Sequence, residues 1–354
     1  MSVFLMAGGG TGGHVIPLLA VARELRKRGH SPIFVGTRRG LEAKLVPPES
    51  FPLEWIEIGG LNRVGFRQIL RTLWQLPIST LRAFRLISRY RAAAVFSLGG
   101  YVGGPVTAAA WLHRIPMVLM EPNAIPGFAN RRIARFVTKA LVNFEETARY
   151  FPAGRTMHTG LPVREEFFSL PSKPVGETFS LLITGGSRGA RTLNQAARDS
   201  WRLFRESGIR IRIVHQTGPD AFEEIRAEFA RSGLEGEIVP FIANMPAAFA
   251  EADLVVCRAG AGAVSELAAA GKASILSPFP FAADQHQLRN AEAFSRVGAA
   301  LLVLDRDMTG AHLFKEVTRL ASTPGVLESM SAAARSMARP HAAQRAADLL
   351  EELA

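Results

Sequence analysis

A histidine and five glycines stand together in MAGGGTGGH, residues 6–14. Glycine accepts positive φ and lets the backbone approach a ligand closely. The apolar run before these glycines is typical of a buried strand, and the apolar spacing over residues 15–27 predicts a helix after them. A glycine-rich turn at a helix N-terminus favours an anion or an electron-rich oxygen, so a diphosphate is the expected ligand. His14 adds an imidazole that can take a proton near neutral pH.

A second group of polar residues follows the glycine-rich turn in CRAGAGAVSELAAAG, residues 257–271. Glu266 lies in the first turns of the helix predicted there, and one carboxylate can accept hydrogen bonds from both hydroxyls of a ribose. An ordinary helix N-terminal charge is the alternative role for it. Further on, PFPFAADQHQLRNA places Asp284, His286, Gln287 and Asn290 just after a strand. Polar side chains at the carboxyl end of a strand suit a polyhydroxylated ligand, so this half predicts a nucleotide-sugar site.

The elements that must position these groups alternate along the whole chain. The β-like runs SPIFVGT, AAAVFSL and MVLMEPN precede Arg164, and FSLLITGG, RIVHQTG, EIVPFI, ADLVVC, ASILSP and AALLVL follow it. With amphipathic segments between the runs, this pattern predicts α/β architecture with parallel, doubly wound sheets. FLMAGGGTGGH resembles the later LLITGGSRGAR, which indicates a duplicated Rossmann-like unit. A chain of 354 residues is expected to form two domains, with the boundary near TGLPVR, residues 159–164.

The composition, with 48% hydrophobic and 21% charged residues, is that of a globular protein. The single cysteine, Cys257, cannot form an internal disulfide, which fits a reducing compartment, and we expect it to be a small buried core residue. We find neither a basic leader segment nor an uncharged apolar run long enough to span a bilayer. The sequence therefore predicts a soluble or peripheral protein.

The net charge of +11 is concentrated in one stretch. Residues 58–120 contain no Asp or Glu, and their arginines alternate with apolar side chains that include Trp74, Ile78, Leu81 and Phe84. A basic segment with an apolar face resembles an interfacial element on an anionic membrane. A helix packed on its own domain and a nucleic-acid surface are the alternatives, and no nucleic-acid module accompanies the charge.

Gly8, Gly10 and Gly13 fit G-x-G-x-x-G, so a nicotinamide enzyme is the first alternative function. That pattern also requires an acidic residue about 20 positions on, at the end of the next strand. Here the strand ends with Arg38 and Arg39, which offer no carboxylate to the ribose of NAD but could hold the extra phosphate of NADP. A P-loop is excluded because no Gly-Lys-Ser/Thr triplet follows the glycines.

The sequence resembles the MurG family of bacterial peptidoglycan N-acetylglucosaminyltransferases over nearly its whole length. The motifs that carry the resemblance, in order, are GGGTGGHVIPLLAVA, GGYVGGP, EPNAIPGFAN, TGLPVR, GGSRGARTLN and CRAGAGAVSELAAAG. The resemblance implies the GT-B fold, in which two Rossmann-like domains face a cleft. Residues 1–160 would form the acceptor- and membrane-facing domain and residues 161–354 the UDP-GlcNAc-binding domain, with the last helix packing back on the first.

The resemblance also implies the reaction and its site residues. GlcNAc would pass from UDP-GlcNAc to the polyprenyl-diphosphate acceptor lipid I, with inversion, to give lipid II for the cell wall. Positions near the donor sugar would be Thr11, Gly12, Gly13 and Asn123. Positions near the nucleotide would be Arg164 and Ile242 for the uracil, Ser187 for the diphosphate and Glu266 for the ribose. The diphosphate and GlcNAc would be lined by Ala261, Gly262, Ala263, Val264, Ser265 and Gln287. Tyr101 matches an acceptor-side position.

Three positions depart from the family pattern. Met120 stands where many members have the histidine of a His–Glu–Gln–Asn stretch, so no role for a second histidine is carried over. Leu161 replaces a frequent Asn, and Arg188 replaces a frequent Gln. The donor motifs are intact, so the substrate class is better supported than kinetic detail.

An inverting transfer needs a base within hydrogen-bond reach of the acceptor hydroxyl. His14 is the leading candidate and Glu121 the reserve, while a structural or acceptor-orienting role is the alternative for His14. Ser187, nearby backbone N–H groups and a helix dipole would stabilise the leaving diphosphate. The only D-x-D, residues 305–307, is interpreted as an ordinary loop, and no His/Cys cluster has ligand spacing. We expect no tightly bound metal or cofactor, and a loosely held Mg²⁺ on UDP stays open.

Three classes of function therefore remain: glycosyl transfer to a lipid acceptor, an NADP oxidoreductase, and a sugar-nucleotide-binding protein without catalysis. For the first class, the expected partners are UDP-GlcNAc, lipid I, an anionic membrane surface and other cell-wall synthesis proteins, with no nucleic acid. The expected location is peripheral, at the cytoplasmic face of the bacterial inner membrane.

Overall fold

A computed structural model describes residues 1–10, 12–59, 65–171, 173 and 178–354. The chain divides into two compact units. The first unit contains Met1–Val163 and Arg339–Ala354, and the second contains Arg164–Ala338. The division thus falls at the end of TGLPVR, three residues beyond the boundary given above, and the last sixteen residues lie with the first unit.

The first unit is built on a parallel sheet. Its strands are β1 (Val3–Ala7), β2 (Ser31–Gly36), β3 (Leu53–Trp55), β4 (Ala94–Ser97), β5 (Met117–Glu121), β6 (Lys139–Val142) and β7 (Thr156–His158). Its helices before the division are α1 (Gly12–Lys27), α2 (Glu42–Leu45), α3 (Phe66–Tyr90), α4 (Gly100–His113) and α5 (Phe128–Ile133), with 3-10 turns at Pro47–Glu49, Ala134–Phe136 and Glu145–Tyr150. Within the described residues the strand order is β3-β2-β1-β4-β5-β6-β7.

The second unit repeats this plan. Its strands are β8 (Phe179–Thr184), β9 (Ile211–Gln216), β10 (Glu235–Val239), β11 (Leu254–Cys257), β12 (Ser274–Leu276) and β13 (Ala300–Leu302). Its helices are α6 (Arg191–Ser207), α7 (Phe222–Phe229), α8 (Met245–Glu251), α9 (Ala261–Ala270), α10 (His286–Arg296), α11 (Gly310–Ser322) and α12 (Val326–Ser336), with 3-10 turns at Glu165–Ser169, Ala283–Gln285 and Asp305–Asp307. The strands are parallel, in the order β10-β9-β8-β11-β12-β13 among the described residues.

The central strands of each sheet are buried and mostly apolar, with polar residues such as Ser97, Glu121 and Ser180 at or near their ends. In β1 the four residues Phe4–Ala7 are fully buried, and β4 and β5 are buried throughout. Cys257 is likewise buried at the end of β11, which confirms its expected role in the core, and burial raises the pKa of its thiol to about 12. The parallel, doubly wound architecture predicted from the alternation is confirmed.

The strand order reverses once in each sheet, between β1 and β4 and between β8 and β11. At such a point the loops that follow the two strands leave in opposite directions and open a crevice at the carboxyl edge. The loops at these points include residues 8–10 and 98–99 in the first unit and residues 185–190 and 258–260 in the second. Both glycine-rich sequences therefore lie where this architecture binds ligands.

The C-terminal helix α13 (Ala342–Leu353) packs against α1 of the first unit. Arg28 donates to Asp348 at 2.6 Å and to Glu351 at 2.7 Å. The Ser2 N–H donates to His30 Nδ1 at 3.2 Å, so the proton of this imidazole is on Nε2, which donates to Glu351 Oε1 at 2.6 Å. These contacts attach the end of the chain to the first unit.

Candidate functional site

In the first unit, the loop after β1 contacts the start of α4 directly. Gly100 has a φ of +70°, and a Cβ there would lie 3.3 Å from the Gly9 carbonyl oxygen and 3.5 Å from His14 Nδ1. Gly10 has a φ of +91°, and a Cβ there would lie 2.8 Å from Cε1 of the Tyr101 ring. Glycine is required at both positions because the backbone is left-handed and the space is already occupied. Two of the predicted residues, His14 and Tyr101, thus lie against the same glycine-rich loop.

The protonation pattern of His14 follows from its neighbour. His14 is half-buried in the first turn of α1, and its Nδ1 lies 3.3 Å from the Gly9 carbonyl oxygen. A carbonyl oxygen only accepts hydrogen bonds, so Nδ1 carries the proton in this contact. In the neutral ring the lone pair is then on Nε2, which is the arrangement that a general base needs.

In the glycine-rich loop after β1, one N–H group is already bonded within the chain. The Gly10 N–H donates at 2.8 Å to Oε2 of Glu42, a carboxylate from the chain itself. This donor is therefore already used, and the adjacent negative charge repels a phosphate group. The Gly10 N–H is therefore not one of the donors that this loop could offer to a diphosphate. Thr11, which completes the loop, lies outside the described residues.

Glu121 ends β5 with its carboxylate inside the protein. It is 1% exposed. Oε1 accepts from the Asn123 N–H at 2.9 Å and from Asn123 Nδ2 at 3.2 Å, and Oε2 accepts from the Gly127 N–H at 3.3 Å and Asn130 Nδ2 at 2.7 Å. Burial raises its pKa to about 7, and the four donors act in the opposite direction. This geometry suits a residue that holds the loop carrying Asn123, and it is unsuited to the reserve base, which must contact the substrate.

In the second unit, the loop after β8 presents Ser187 to solvent. Gly186 and Gly189 on either side have φ of +84° and +73°. A Cβ at Gly189 would overlap the carbonyl of Thr217, so only glycine permits this close backbone packing. The Gly189 N–H donates to the Gly186 carbonyl at 2.9 Å, which closes a tight turn around Ser187. The predicted diphosphate residue is thus exposed at the N-terminal end of α6.

Helix α9 begins directly at the glycine-rich turn after β11. Its first turn contains Ala261–Ser265 and offers the N–H groups that an α-helix leaves unbonded at its start. A Cβ at Gly260 or Gly262 would meet no atom of the described chain within 4 Å, so the space beside the turn is open. Val264 is the exception among the predicted residues, since its side chain is buried in the core and its N–H donates to the Gly260 carbonyl at 3.0 Å.

Glu266 follows in the second turn of α9, with its side chain 29% exposed and one oxygen 4.0 Å from Arg164 Nη2. Burial raises the pKa of Glu266 to about 7, and the Arg164 cation opposes this rise. The structure therefore brings together two residues predicted from distant parts of the sequence. A carboxylate that titrates near neutrality makes binding through it dependent on pH.

The motif after β12 divides between ligand-facing and structural roles. The side-chain oxygen Oε1 of Gln287 accepts from the Phe279 N–H at 2.9 Å, so a ligand contact would use the Nε2 group of the same side chain. Asn290 is fully buried and donates to the Ala259 carbonyl at 3.1 Å, which removes it from the polar group expected at a sugar. Asp284 and Gln285 both have positive φ, 50° and 54°, a strained backbone typical of functional loops.

Residues 305–307 form a 3-10 turn rather than an open loop. Asp305 accepts from Arg258 Nη1 at 2.5 Å and from the Thr192 hydroxyl at 3.0 Å, so its oxygens tie α6 to the end of β11. Within the described ranges no group of three or more His, Cys, Asp or Glu side chains has the arrangement of a metal site.

Two family models match the chain, the glycosyltransferase family 28 N-terminal domain over residues 4–142 and the C-terminal domain over residues 180–351. The chain is also 64% identical to a UDP-N-acetylglucosamine--N-acetylmuramyl-(pentapeptide) pyrophosphoryl-undecaprenol N-acetylglucosamine transferase of Solibacter usitatus. That match extends over 351 residues, 99% of this chain and 96% of the relative. The chain belongs to glycosyltransferase family 28.

Further relatives in this family agree. A protein of the same name from Myxococcus xanthus is 42% identical over 100% of this chain and 93% of its own length. A crystal structure of MurG from Acinetobacter baumannii superposes with a TM-score of 0.87 at 33% identity and covers 99% of this chain and 100% of that one. The resemblance read from the motifs, the two-domain fold and the prediction of a glycosyltransferase are confirmed, and the oxidoreductase alternative is excluded.

The departures from the MurG pattern have plain structural roles. Met120, in place of the histidine, is fully buried on β5 and belongs to the core. Leu161 is buried at 4% exposure, and Arg188 is exposed beside Ser187. Of the three departures in this member of glycosyltransferase family 28, therefore, only Arg188 is exposed beside a predicted ligand residue.

The basic stretch of the first unit contains two opposite faces of α3. Ala83, Leu86 and Ile87 are buried, whereas the outward face of α3 exposes Leu70, Leu73, Trp74, Ile78 and Leu81, with Trp74 at 75%. Phe84 was grouped with Trp74 in the apolar face of this segment, but it is partly buried because its ring stacks on His113 with the centroids 3.7 Å apart. One face of α3 therefore packs on the core of the first unit, and another face of the same helix exposes apolar side chains.

Gln216 is a residue of the site that the sequence did not single out, although it lies in the run RIVHQTG. It is buried at the end of β9. Its Nε2 donates to the Gly186 carbonyl at 2.7 Å, and its Oε1 accepts from the Ile242 N–H at 2.7 Å. One amide therefore joins the diphosphate loop to the predicted uracil position. The sequence feature that could have identified Gln216 is a polar residue at the last position of a buried strand.

We expect the affinity of the free protein for UDP-GlcNAc to rise with pH. A carboxyl with a pKa of about 7 is largely protonated at pH 6, and the carboxylate is the better acceptor for two ribose hydroxyls. Binding of UDP-GlcNAc should be roughly tenfold tighter at pH 8 than at pH 6, because each pH unit below the pKa lowers the ionised fraction of Glu266, and with it the affinity, by up to about tenfold. Titration calorimetry measures this, and Glu266→Gln should abolish the dependence; an unchanged dependence in that variant would contradict the assignment.

Replacing Gln216 should weaken donor binding through both loops at once. Gln216→Leu removes the acceptor of the Ile242 N–H and one of the two donors to the Gly186 carbonyl, and each lost hydrogen bond contributes about 0.5–1.5 kcal/mol. We expect the Kd for UDP-GlcNAc to rise by about tenfold or more. Gln195→Leu, which changes an exposed glutamine on α6, is the matched control and should bind like the wild type. Equal affinities for the two variants would show that Gln216 does not organise the site.

Proposed function

We propose that this protein transfers N-acetylglucosamine from UDP-N-acetylglucosamine to N-acetylmuramyl-(pentapeptide) pyrophosphoryl-undecaprenol, the reaction named for its relatives. The product is lipid II, so the protein supplies the precursor of peptidoglycan and contributes to cell shape and division. The observation that carries the proposal is the 64% identity to the Solibacter usitatus relative over 99% of the chain. The intact donor motifs of the second unit support it independently.

In this proposal the second unit holds the donor. Glu266 accepts from the ribose hydroxyls, and Arg164, 4.0 Å from it, lies near the uracil with Ile242. Ser187, the backbone of Ala261–Ser265 and the Nε2 amide of Gln287 contact the diphosphate and the sugar. The N-terminal ends of α6 and α9 place partial positive charge where the departing UDP gains negative charge. The chain thus supplies its own stabilisation for the leaving group, and we propose no tightly bound metal.

The first unit supplies the acceptor side and the base. The acceptor hydroxyl attacks the anomeric carbon while the bond from that carbon to the UDP oxygen breaks, which inverts the configuration. His14 Nε2 takes the hydroxyl proton, and the electron pair of the broken bond leaves with UDP. The contact of His14 Nδ1 with the Gly9 carbonyl oxygen places the lone pair of the neutral ring on Nε2, and Glu121 is buried among four donors, so we assign the base to His14. Gly12, Gly13 and Asn123 lie toward the donor sugar, and Tyr101 lies toward the acceptor.

The proposed reaction is tested by measuring UDP release from UDP-GlcNAc with and without a lipid I analogue, together with mass analysis of the product. Release that requires the analogue and adds one GlcNAc to it supports the proposal. Binding of UDP-GlcNAc without any turnover would instead leave a sugar-nucleotide-binding protein.

Removal of the base should affect turnover far more than binding. We expect His14→Ala to lower kcat by about 10²–10⁴ with unchanged UDP-GlcNAc affinity, because general-base catalysis contributes about that much. His14→Asn keeps a donor for the Gly9 carbonyl but no base, so it should lose as much. A loss below tenfold in either variant would assign the base to another group.

We also propose that the first unit docks on anionic lipid at the cytoplasmic face of the bacterial inner membrane. The acceptor carries an undecaprenyl chain, so the enzyme must act at a bilayer. Among the helices in the described part of the chain, none is long and apolar enough to cross one. The outward face of α3 combines exposed apolar side chains with exposed Arg82 and Arg85, the two signals of a peripheral protein.

The orientation of α3 supports this docking. Crossover helices run opposite to the parallel strands they connect, so the start of α3 lies at the edge where the strands end. Leu70, Leu73 and Trp74 are therefore at the same edge as the glycine-rich loop. Insertion there brings the base of the first unit to the lipid headgroups.

Replacing Trp74, Ile78 and Leu81 together by serine should reduce binding to phosphatidylglycerol vesicles by about tenfold or more, because each buried apolar side chain contributes roughly 1.5–3 kcal/mol. These side chains are exposed, so circular dichroism should show an intact fold. Val297→Ser, an exposed apolar position in the second unit, is the control. Co-sedimentation that is equal for anionic and neutral vesicles, or a variant that unfolds, would reject this surface.

A further inference from the structure

Glu42 is a fully buried carboxylate that no part of the proposed mechanism uses. It begins the short helix α2, five residues after Thr37 at the end of β2. Oε2 accepts from the Gly10 N–H at 2.8 Å, and Oε1 accepts from the N–H and the hydroxyl of Thr37 at 2.8 and 2.9 Å. All three partners donate, so the side chain acts only as an acceptor, as an ionised carboxylate does.

Three positions around Glu42 have no space for a side chain and are occupied by glycine. A Cβ at Gly9, Gly36 or Gly40 would overlap its side chain. Gly36 and Gly40 belong to β2 and the turn after it, where no ligand contact is expected. The chain therefore surrounds the carboxylate with backbone from two neighbouring loops, and a substrate cannot touch it.

Two hydrogen-bond routes lead from Glu42 to residues of the proposed reaction. The first runs through the Gly10 N–H to the loop whose Gly9 carbonyl holds His14 Nδ1 at 3.3 Å. The second runs through the Thr37 hydroxyl, whose hydrogen points at Glu42, so its oxygen accepts from the Tyr101 hydroxyl at 3.3 Å. The proposed base and the acceptor-side tyrosine are thus both connected by hydrogen bonds to one buried side chain, Glu42.

We propose that Glu42 is a positioning residue for glycosyl transfer, which fixes the glycine-rich loop and thereby the orientation of His14, and which orients the hydroxyl of Tyr101 through Thr37. The inference rests on the proposed function of His14 and Tyr101. It assigns Glu42 no contact with either substrate. Its loss should therefore reduce kcat and leave donor binding, which belongs to the second unit, unchanged.

The central variant is Glu42→Gln, which keeps the size but turns an amide N–H₂ toward the Gly10 or Thr37 donors. We expect kcat to fall by about 10- to 100-fold, the effect of one lost buried charge-assisted hydrogen bond of about 1.5–3 kcal/mol. The Kd for UDP-GlcNAc should stay within twofold of the wild type. Glu49→Gln removes a carboxylate from the same segment, on the exposed Arg23 pair, and should leave kcat unchanged.

A double-mutant cycle separates positioning from general stability. If Glu42 acts through His14, then Glu42→Gln combined with His14→Ala should lose clearly less than the product of the two single losses, since only the Tyr101 route remains to be lost, whereas independent effects would multiply. The second route has its own test, because Thr37→Val should lower kcat as much as Tyr101→Phe, and the pair together no further.

Four results would overturn the inference: a kcat within threefold of the wild type in Glu42→Gln, an equal loss in donor affinity, multiplied losses in the cycle with His14, or an unaffected Thr37→Val. If Glu42→Gln fails to fold, Glu42→Asp keeps the charge with a shorter reach and must still lose kcat selectively. A wild-type protein that forms no product would instead reject the proposed function. Normal wild-type turnover with an equally active Glu42→Gln would reject only the role of Glu42.

Discussion

In each unit a buried polar side chain holds a glycine-rich loop through the loop's own backbone groups. Glu42 accepts from the Gly10 N–H in the first unit, and Gln216 donates to the Gly186 carbonyl in the second. Glycine gives these loops access to left-handed conformations, but it also leaves them with more conformational entropy to lose than any other residue. A buried hydrogen-bonding partner offsets that loss before a ligand arrives. The positions of His14 and Ser187 depend on these two contacts.

The doubly wound sheets explain why one side chain can contact residues that are distant in the sequence. Adjacent parallel strands end at the same edge, so residues separated by about thirty positions meet there. Gly10 and Glu42 meet across β1 and β2, and Gly186, Gln216 and Ile242 meet across β8, β9 and β10. The same edge carries Glu266 in the second unit and Tyr101 in the first. The proposed catalytic and binding groups therefore share a small set of supports within each unit.

The features predictable from sequence were those that rest on local pattern. Strand runs, the glycine turns and Glu266 beside the start of α9 follow from spacing within about fifteen residues, and the structure has them where expected. Glu42 was missed because a glutamate in a polar segment has no local sign of burial, and its partners lie up to 32 residues away. Phe84 was misplaced for a related reason. The alternation of Arg and apolar residues in α3 gives an amphipathic helix, but which apolar side chains face the core depends on His113 in α4.

Amide hydrogen exchange in the ligand-free protein, resolved to single residues, tests the central claim that the loops are held before substrates bind. The amides of Gly10 and Ile242 are bonded to Glu42 and Gln216, so both should exchange at least about a hundredfold more slowly than an unprotected peptide of the same sequence. Adding UDP-GlcNAc should change the Gly10 rate little. Unprotected Gly10 and Ile242 amides in the free protein, with protection only after UDP-GlcNAc is added, would show that the ligand and not the buried side chains orders these loops.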